Sequence, residues 1–335
     1  MSESDGTGAP DPRDALSRVI LGADPTYTNE EVAEKTGMDL DEANRLWRAL
    51  GFPDSGGSRA FVDADLDALR TVHQAVESGV LDRVTAMRLT RALGNTMSRL
   101  ADWQVSTLAE LVEGQVEDGT STSRLASGLE LTRQVGPAFE RLLVYAWRRH
   151  LAAALVRVET LGAATDEHLS HQVLTVGFVD LVSFTALSNG IDDTALGDLV
   201  EGFESRCADL VTAGGGRPIK TLGDAVLFVT ETPQAAVEIA FAVIEGIGRD
   251  ASLPDVRVGL ATGPVISRLG DVYGPPVNLA ARLTSVARRN RTITDQPTAD
   301  QLDDGFETRT LPPRPLHGFG NIEPIAVRRA WVYQG

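Results

Sequence analysis

Apolar residues recur every three or four positions through the first half of the chain, and the pattern then changes to short runs and alternations. Near the start, Thr28-Asn29-Glu30-Glu31 has the form of a capping box, with Thr28 at the N-cap and Glu31 reaching back. Gly37 interrupts that helix, and Asp39 opens a second one carrying Leu40, Ala43, Leu46, Trp47 and Leu50 before Gly51 ends it. A Gly/Ser-rich loop follows at Asp54 to Ser58. The next helix carries Leu66, Leu69, Val72 and Val76, and another carries Leu89, Leu93, Met97 and Leu100. Helical spacing continues to about Thr160. These stripes predict a helical bundle with these side chains in its core.

From Gln172 the periodicity shortens. Val173 to Val179 reads as a buried strand, and Leu196 to Val211 as an amphipathic helix ending at Gly214-Gly215-Gly216. Pro218 to Thr221 and Ala225 to Val229 read as a hairpin with Leu222-Gly223-Asp224 at its turn. Helix Gln234 to Ile247, strand Val256 to Ala261 and helix Pro276 to Arg289 follow. The expected class is therefore α+β, one sheet covered by helices, preceded by an all-α domain. The expected boundary separates residues 1–165 from 166–335, with Gly162 to Ser170 as the linker.

Composition narrows the partners. The chain has 335 residues and a net charge of −16. An acidic surface repels DNA phosphates and anionic lipid, so no nucleic acid is expected as a partner. The single cysteine, Cys207, permits no internal disulfide and sits among Leu199, Val200, Phe203, Leu210 and Val211 at helical spacing, which reads as a core position. Met1 to Pro12 is acidic and rich in Ser, Gly and Pro, unlike a signal peptide. No apolar run reaches the length of a membrane span, because Arg148, Arg149, His150 and Arg157 break the best stretch. A cytoplasmic location is expected. Of 31 basic residues only Lys35 and Lys220 are lysine.

Two aspartates stand where chemistry is easiest to build. Asp180 follows the strand ending at Val179, and Asp224 lies at the hairpin tip. Neighbouring antiparallel strands would bring both carboxylates to one rim, where hard cations prefer oxygen ligands and phosphates complete the shell. Taken singly, each could equally cap a turn. A helix beginning near Phe184 and Thr185 would offer free N–H groups to phosphate.

Together these segments resemble the class III adenylyl/guanylyl cyclase catalytic domain over about residues 172 to 330. Phe178-Val179-Asp180-Leu181-Val182-Ser183-Phe184-Thr185 is similar to its first metal motif, and Lys220-Thr221-Leu222-Gly223-Asp224-Ala225 to its second. Arg257 to Gly263 resembles its phosphate-contacting strand, and Asp271 to Leu283 its transition-state segment. The resemblance implies a ferredoxin-like sheet and cyclisation of ATP to cyclic AMP. It implies two Mg²⁺ or Mn²⁺ ions per active site on Asp180, Asp224 and the Leu181 carbonyl. It also implies that Arg257 contacts terminal phosphates, Asn278 orients the ribose, and Arg282 stabilises the transferred phosphoryl group. Asn278 and Arg282 share a helix face at i and i+4.

The residues that resemble the purine-selecting pair are Lys220 and Asp271. Lysine only donates and aspartate only accepts, which matches N1 and N6 of adenine and mismatches guanine. Each mispaired buried group costs about 1–3 kcal/mol. In this family the metal aspartates and the base-selecting residues of one site come from opposite subunits, so the resemblance implies a head-to-tail homodimer. One departure is His317 before Gly318, where the family has Lys or Arg, with Arg314 nearby as a substitute.

Tyr27 to Phe61 resembles a helix-turn-helix, which raises a transcription regulator as a rival. Residues 1–50 hold 11 acidic and 5 basic side chains, however, and Asp39 to Leu50 offers only Arg45 and Arg48 to phosphates. The N-terminal half resembles the autoinhibitory domain of pH-responsive mycobacterial adenylyl cyclases, which implies regulation by pH or a lipid. A degenerate, merely nucleotide-binding cyclase would lack one or more of the six key residues Asp180, Asp224, Lys220, Asp271, Asn278 and Arg282, and all six are present.

Overall fold

The computed structural model describes residues 18–117, 124–162, 171–268 and 270–330. The acidic start and residues 163–170 of the expected linker lie outside them. The chain divides into two compact units, Met1–Ala153 and Ala154–Gly335.

The first unit begins with helices α1 (Asn29–Thr36), α2 (Leu40–Ala49) and α3 (Asp63–Glu77), followed by the long α4 (Arg83–Glu117) and α5 (Arg124–Gly162), whose last turns enter the second unit. The Thr28 hydroxyl accepts from the Glu31 N–H at 3.3 Å while the Glu31 carboxylate accepts from the Thr28 N–H at 3.0 Å, completing the capping box. Gly37 ends α1 in the left-handed region at φ 72°, and Asp39 accepts from the Asp41 and Glu42 N–H groups to start α2. A bridge between Tyr27 and Phe61 closes the chain around a core of Val32, Leu46, Phe61, Leu66 and Leu69.

One expectation fails here. Leu89 and Leu93 are 56% and 54% exposed, so the leucine stripe of α4 is not the face packed within this unit. The buried stripe is Ala86, Thr90 and Gly94, four residues apart. A Cβ on Gly94 would stand 2.5 Å from the backbone of Leu50, so α4 crosses the end of α2 at a distance that only small residues allow.

The second unit contains β1 (His171–Leu181), α6 (Phe184–Ser188), α7 (Asp193–Ala213), β2 (Arg217–Leu222), β3 (Ala225–Thr230), α8 (Pro233–Gly248), β4 (Val256–Arg268) and β5 (Asp271–Tyr273). It continues with α9 (Pro275–Val286), β6 (Thr292–Thr294), α10 (Gln296–Ala299), β7 (Phe306–Thr310), β8 (Arg314–Leu316), β9 (Gly320–Ile322) and β10 (Ile325–Arg329). The main sheet runs β2-β3-β1-β4-β6-β10-β7, with β5 folded back on β4. All its pairs are antiparallel except β4 with β6.

Alternation along β1 sends Val179 and Leu181 to one face and Leu174, Val176 and Phe178 to the other. The first face is covered by α7 and α8, with Phe203, Cys207, Ile239 and Val243 fully buried. Burial pushes the Cys207 thiol up to about 12, as its core position requires. The second face is covered by α9 through Ala280 and Leu283. Helix α9 lies so close to β4 that a Cβ on Gly259 would meet the Thr284 backbone nitrogen at 2.3 Å.

Candidate active site

The site grows from one rim of the sheet. Strand β1 ends at Leu181, and its register places Asp180 between Ala225 of β3 and Arg257 of β4. The β2–β3 turn holds Asp224, with Gly223 at φ 65° making the turn possible, and the Leu181 N–H donates to the Asp224 carbonyl at 3.0 Å. Both carboxylates thus reach the same end of adjacent strands. Arg257 donates from Nε to Asp180 Oδ2 at 2.6 Å and from Nη1 to the Ser285 carbonyl of α9 at 3.0 Å. Burial raises the Asp180 carboxyl above its ordinary value, Arg257 pulls against that rise, and the neighbouring charge of Asp224 adds to it.

A second group forms on β2 and β5. The long β4 turns into β5 so that Asp271, opposite Arg268, comes back over β2. There Lys220 Nζ donates to Asp271 Oδ2 at 2.5 Å, with the two side chains 35% and 20% exposed. For Asp271 burial pushes upward, but the bonds from Lys220, the Val272 N–H and Tyr273 outweigh it and hold the carboxyl below its ordinary value. Tyr273 escaped the sequence reading; its signal was its place two residues beyond Asp271, on the same side of the strand.

Asn278 and Arg282 project from α9 at i and i+4 and are exposed. Neither side chain has a hydrogen bond or ion pair among the described residues. Phe184 opens the five-residue α6 after Ser183, which sits in the left-handed region at φ 61°, and its ring packs against the α7/α8 core. Thr185 is exposed beside it. His317 is exposed in the turn after β8, and Arg314 begins that strand.

The donor set can be tested against the metals that the motifs imply. No group of three or more His, Cys, Asp or Glu side chains gathers among the described residues. Two carboxylates on one rim, a main-chain carbonyl and substrate phosphates suit hard, oxygen-seeking cations, and the absence of imidazole or thiolate donors there disfavours softer ones.

Comparison with known proteins then decides the family. The family described as "Adenylate and Guanylate cyclase catalytic domain" matches residues 167–327, and "Adenylate cyclase regulatory domain" matches residues 7–151. An adenylate cyclase of Streptomyces coelicolor is 39% identical over 325 residues, 93% of this chain and 84% of that protein. The chain belongs to the class III adenylate cyclase family. A Streptomyces griseus adenylate cyclase is 41% identical over 287 residues, covering 86% of this chain and 71% of that one. A pH-sensitive adenylate cyclase of Mycobacterium tuberculosis is 30% identical over 330 residues, covering 95% and 82%. Class III cyclase domains are metal-dependent. In this adenylate cyclase the helix-turn-helix-like start falls within the regulatory match, which removes the ground for a transcription regulator. Among the described residues no helix is long and apolar enough to cross a membrane.

Proposed function

We propose that the chain converts ATP to 3′,5′-cyclic AMP and pyrophosphate at two equivalent sites, each shared between two copies arranged head to tail. The observation that carries this reading is the Lys220–Asp271 pair. It holds a donor-only group beside an acceptor-only group, half-buried and at fixed spacing. Adenine offers the complementary acceptor and donor at N1 and N6, whereas guanine reverses both. The compact ammonium of lysine is used here in a chain that writes all its other positive side chains but Lys35 as arginine.

Around that pair the other residues take distinct roles. Asp180, Asp224 and the Leu181 carbonyl would hold two Mg²⁺ or Mn²⁺ ions, which when bound supply Lewis acidity to the ribose hydroxyl and charge neutralisation to the triphosphate. Asn278 orients the ribose so that its 3′-hydroxyl lies in line with the α-phosphorus. Arg282, on the same helix face, meets the charge that builds on the transferred phosphoryl oxygens. Arg257, steadied by Asp180 and the Ser285 carbonyl, faces the terminal phosphates. Phe184 and Thr185 contribute main-chain N–H groups at the phosphate end.

Asn278 and Arg282, exposed and without a side-chain partner among the described residues, support completion of the site by a second subunit. The regulatory part, residues 1–165, restrains the catalytic part, residues 166–335, in response to pH or a lipid, and the enzyme works in the cytoplasm, where ATP is available. Deletion of residues 1–165 is expected to raise specific activity and flatten its pH profile; unchanged activity at every pH would remove the regulatory role.

The chemistry is tested by measuring cyclic products from ATP and GTP with Mg²⁺ or Mn²⁺. Cyclic AMP from ATP alone is expected, and Asp224→Ala should lower the rate by about 10³-fold without changing the circular dichroism spectrum. Equal turnover of GTP would contradict the base-selecting role, and full activity in Asp224→Ala would contradict the metal rim.

A further inference from the structure

The catalytic unit carries a second concentration of positive charge, apart from Lys220 and Arg257. On the sheet face shared with α9, Ala326 of β10 pairs with Ile293 of β6 on one side and Arg309 of β7 on the other. The end of α9 and the chain between β7 and β8 wall this part of the sheet and leave a cavity of about 720 Å³. Arg288, Arg291, Arg309 and Arg314 line it, over a floor that includes Ile293 and Leu311. Its remaining guanidinium, Arg328, is tied to the one acidic lining residue, Glu307, at 2.8 Å.

The four other arginines form no ion pair among the described residues. Elsewhere on the same unit Arg206, Arg249, Arg257, Arg289 and Arg329 are each matched to a carboxylate. Among the described residues, Glu307 is thus the only acidic side chain that lines this cavity. Like charges converging in a concave site with an apolar floor repel one another, and an anion relieves that repulsion strongly because the walls focus the field. Guanidinium forks match phosphate oxygens in pairs, and four of them can serve more than one phosphoryl group. The single carboxylate is already engaged, so nothing in the lining calls for a bridging cation.

We propose that this cavity is a second, metal-independent site for an oligophosphate anion, free or carried by a nucleotide. The full-length chain is titrated calorimetrically with tripolyphosphate and with ATP in the presence of EDTA. Binding of tripolyphosphate is expected. The variant Arg291→Gln/Arg309→Gln, altered at two exposed positions and checked by thermal melting, should weaken it by about tenfold or more. Arg288→Gln alone should weaken it less, and serves if the double variant melts early. Arg257→Ala and Lys220→Ala should leave the affinity within about twofold, because they belong to the other site. ATP and tripolyphosphate binding alike would assign the site to free oligophosphate, whereas tighter binding of ATP that responds to the same arginines would assign it to a nucleotide. The proposal is overturned if tripolyphosphate does not bind, if polyglutamate of equal charge binds as well, or if binding is lost in Arg257→Ala and kept in the double variant.

Discussion

In the catalytic unit most of the apolar residues that pattern the strands are hidden from water: Val176, Val179, Leu227, Phe228 and Leu260 are all buried, and of the stretch Val173 to Val179 read as a buried strand, Val173 is exposed. In the helical unit the same kind of pattern leads to the opposite result along α4 and α5, where Leu89, Leu93, Leu142, Tyr145, Trp147 and Leu151 stay exposed. The difference lies in geometry. Where helices cover both faces of a central strand, apolar side chains find a core whichever way they point; Val173, near the start of β1, lies outside that cover and is 62% exposed. A long helix offers several stripes, and its sequence does not say which one meets the rest of the chain. Small residues decided the matter on α4, where Ala86, Thr90 and Gly94 permit the close crossing of α2. The catalytic unit therefore has a tightly committed interior, and the helical unit leaves apolar surface exposed along its long helices.

This contrast can be broken or sharpened by substitution. Leu260→Ala removes a fully buried side chain from between β4 and the α7/α8 layer. It should cost about 2–5 kcal/mol, read as a lower denaturant midpoint of the catalytic unit. Gly94→Ala forces a methyl group against the Leu50 backbone; overpacking of about 1–3 kcal/mol should outweigh the gain of about 1 kcal/mol in helix propensity, lowering the melting temperature of the helical unit. Leu93→Ala, one residue away, should change stability by no more than about 0.5 kcal/mol. If Leu93→Ala proves as costly as Leu260→Ala, the leucine stripe is covered and the contrast fails.

A smaller effect concerns pH. The folded Asp271 carboxyl lies below its ordinary value of 3.8, so its charged form contributes fully above that value and is lost only as pH falls through the lower folded one. The preference for ATP over GTP, measured as a ratio of kcat/KM, should therefore stay constant through the neutral range even where total activity changes. A ratio that drifts near neutrality would place the titrating group at the base-selecting pair instead of in the regulatory part.

Much of the fold was legible because its signals are local. Caps at Thr28 and Asp39, the left-handed stop at Gly37 and the turn at Gly223-Asp224 depend on a few adjacent residues, and they stand where the sequence put them. The strands after Arg289 were not located. They are three to five residues long, too short for a period to show, and β6 is held by parallel pairing with the distant β4. In the site, the gathering of Asp180 and Asp224 followed from adjacent strands. The hydrogen bond from Arg257 to the Ser285 carbonyl and the return of β5 over β2 depend on how β4 packs against α9 and turns, which no local motif encodes. Nor did any spacing announce the buried chain from Thr175 through Thr262 and Thr298 to Asp295, whose members meet only across the finished sheet.

The central claim is that one active site draws Asp224 from one subunit and Arg282 from the other. Complementation tests it directly: Asp224→Ala and Arg282→Ala chains, each inactive alone, are mixed and cyclic AMP formation is measured. Random pairing makes half the dimers mixed, each with one complete site, so about a quarter of the unmutated activity should return. No recovery, with dimers demonstrated in the mixture, would mean that each chain builds its site alone.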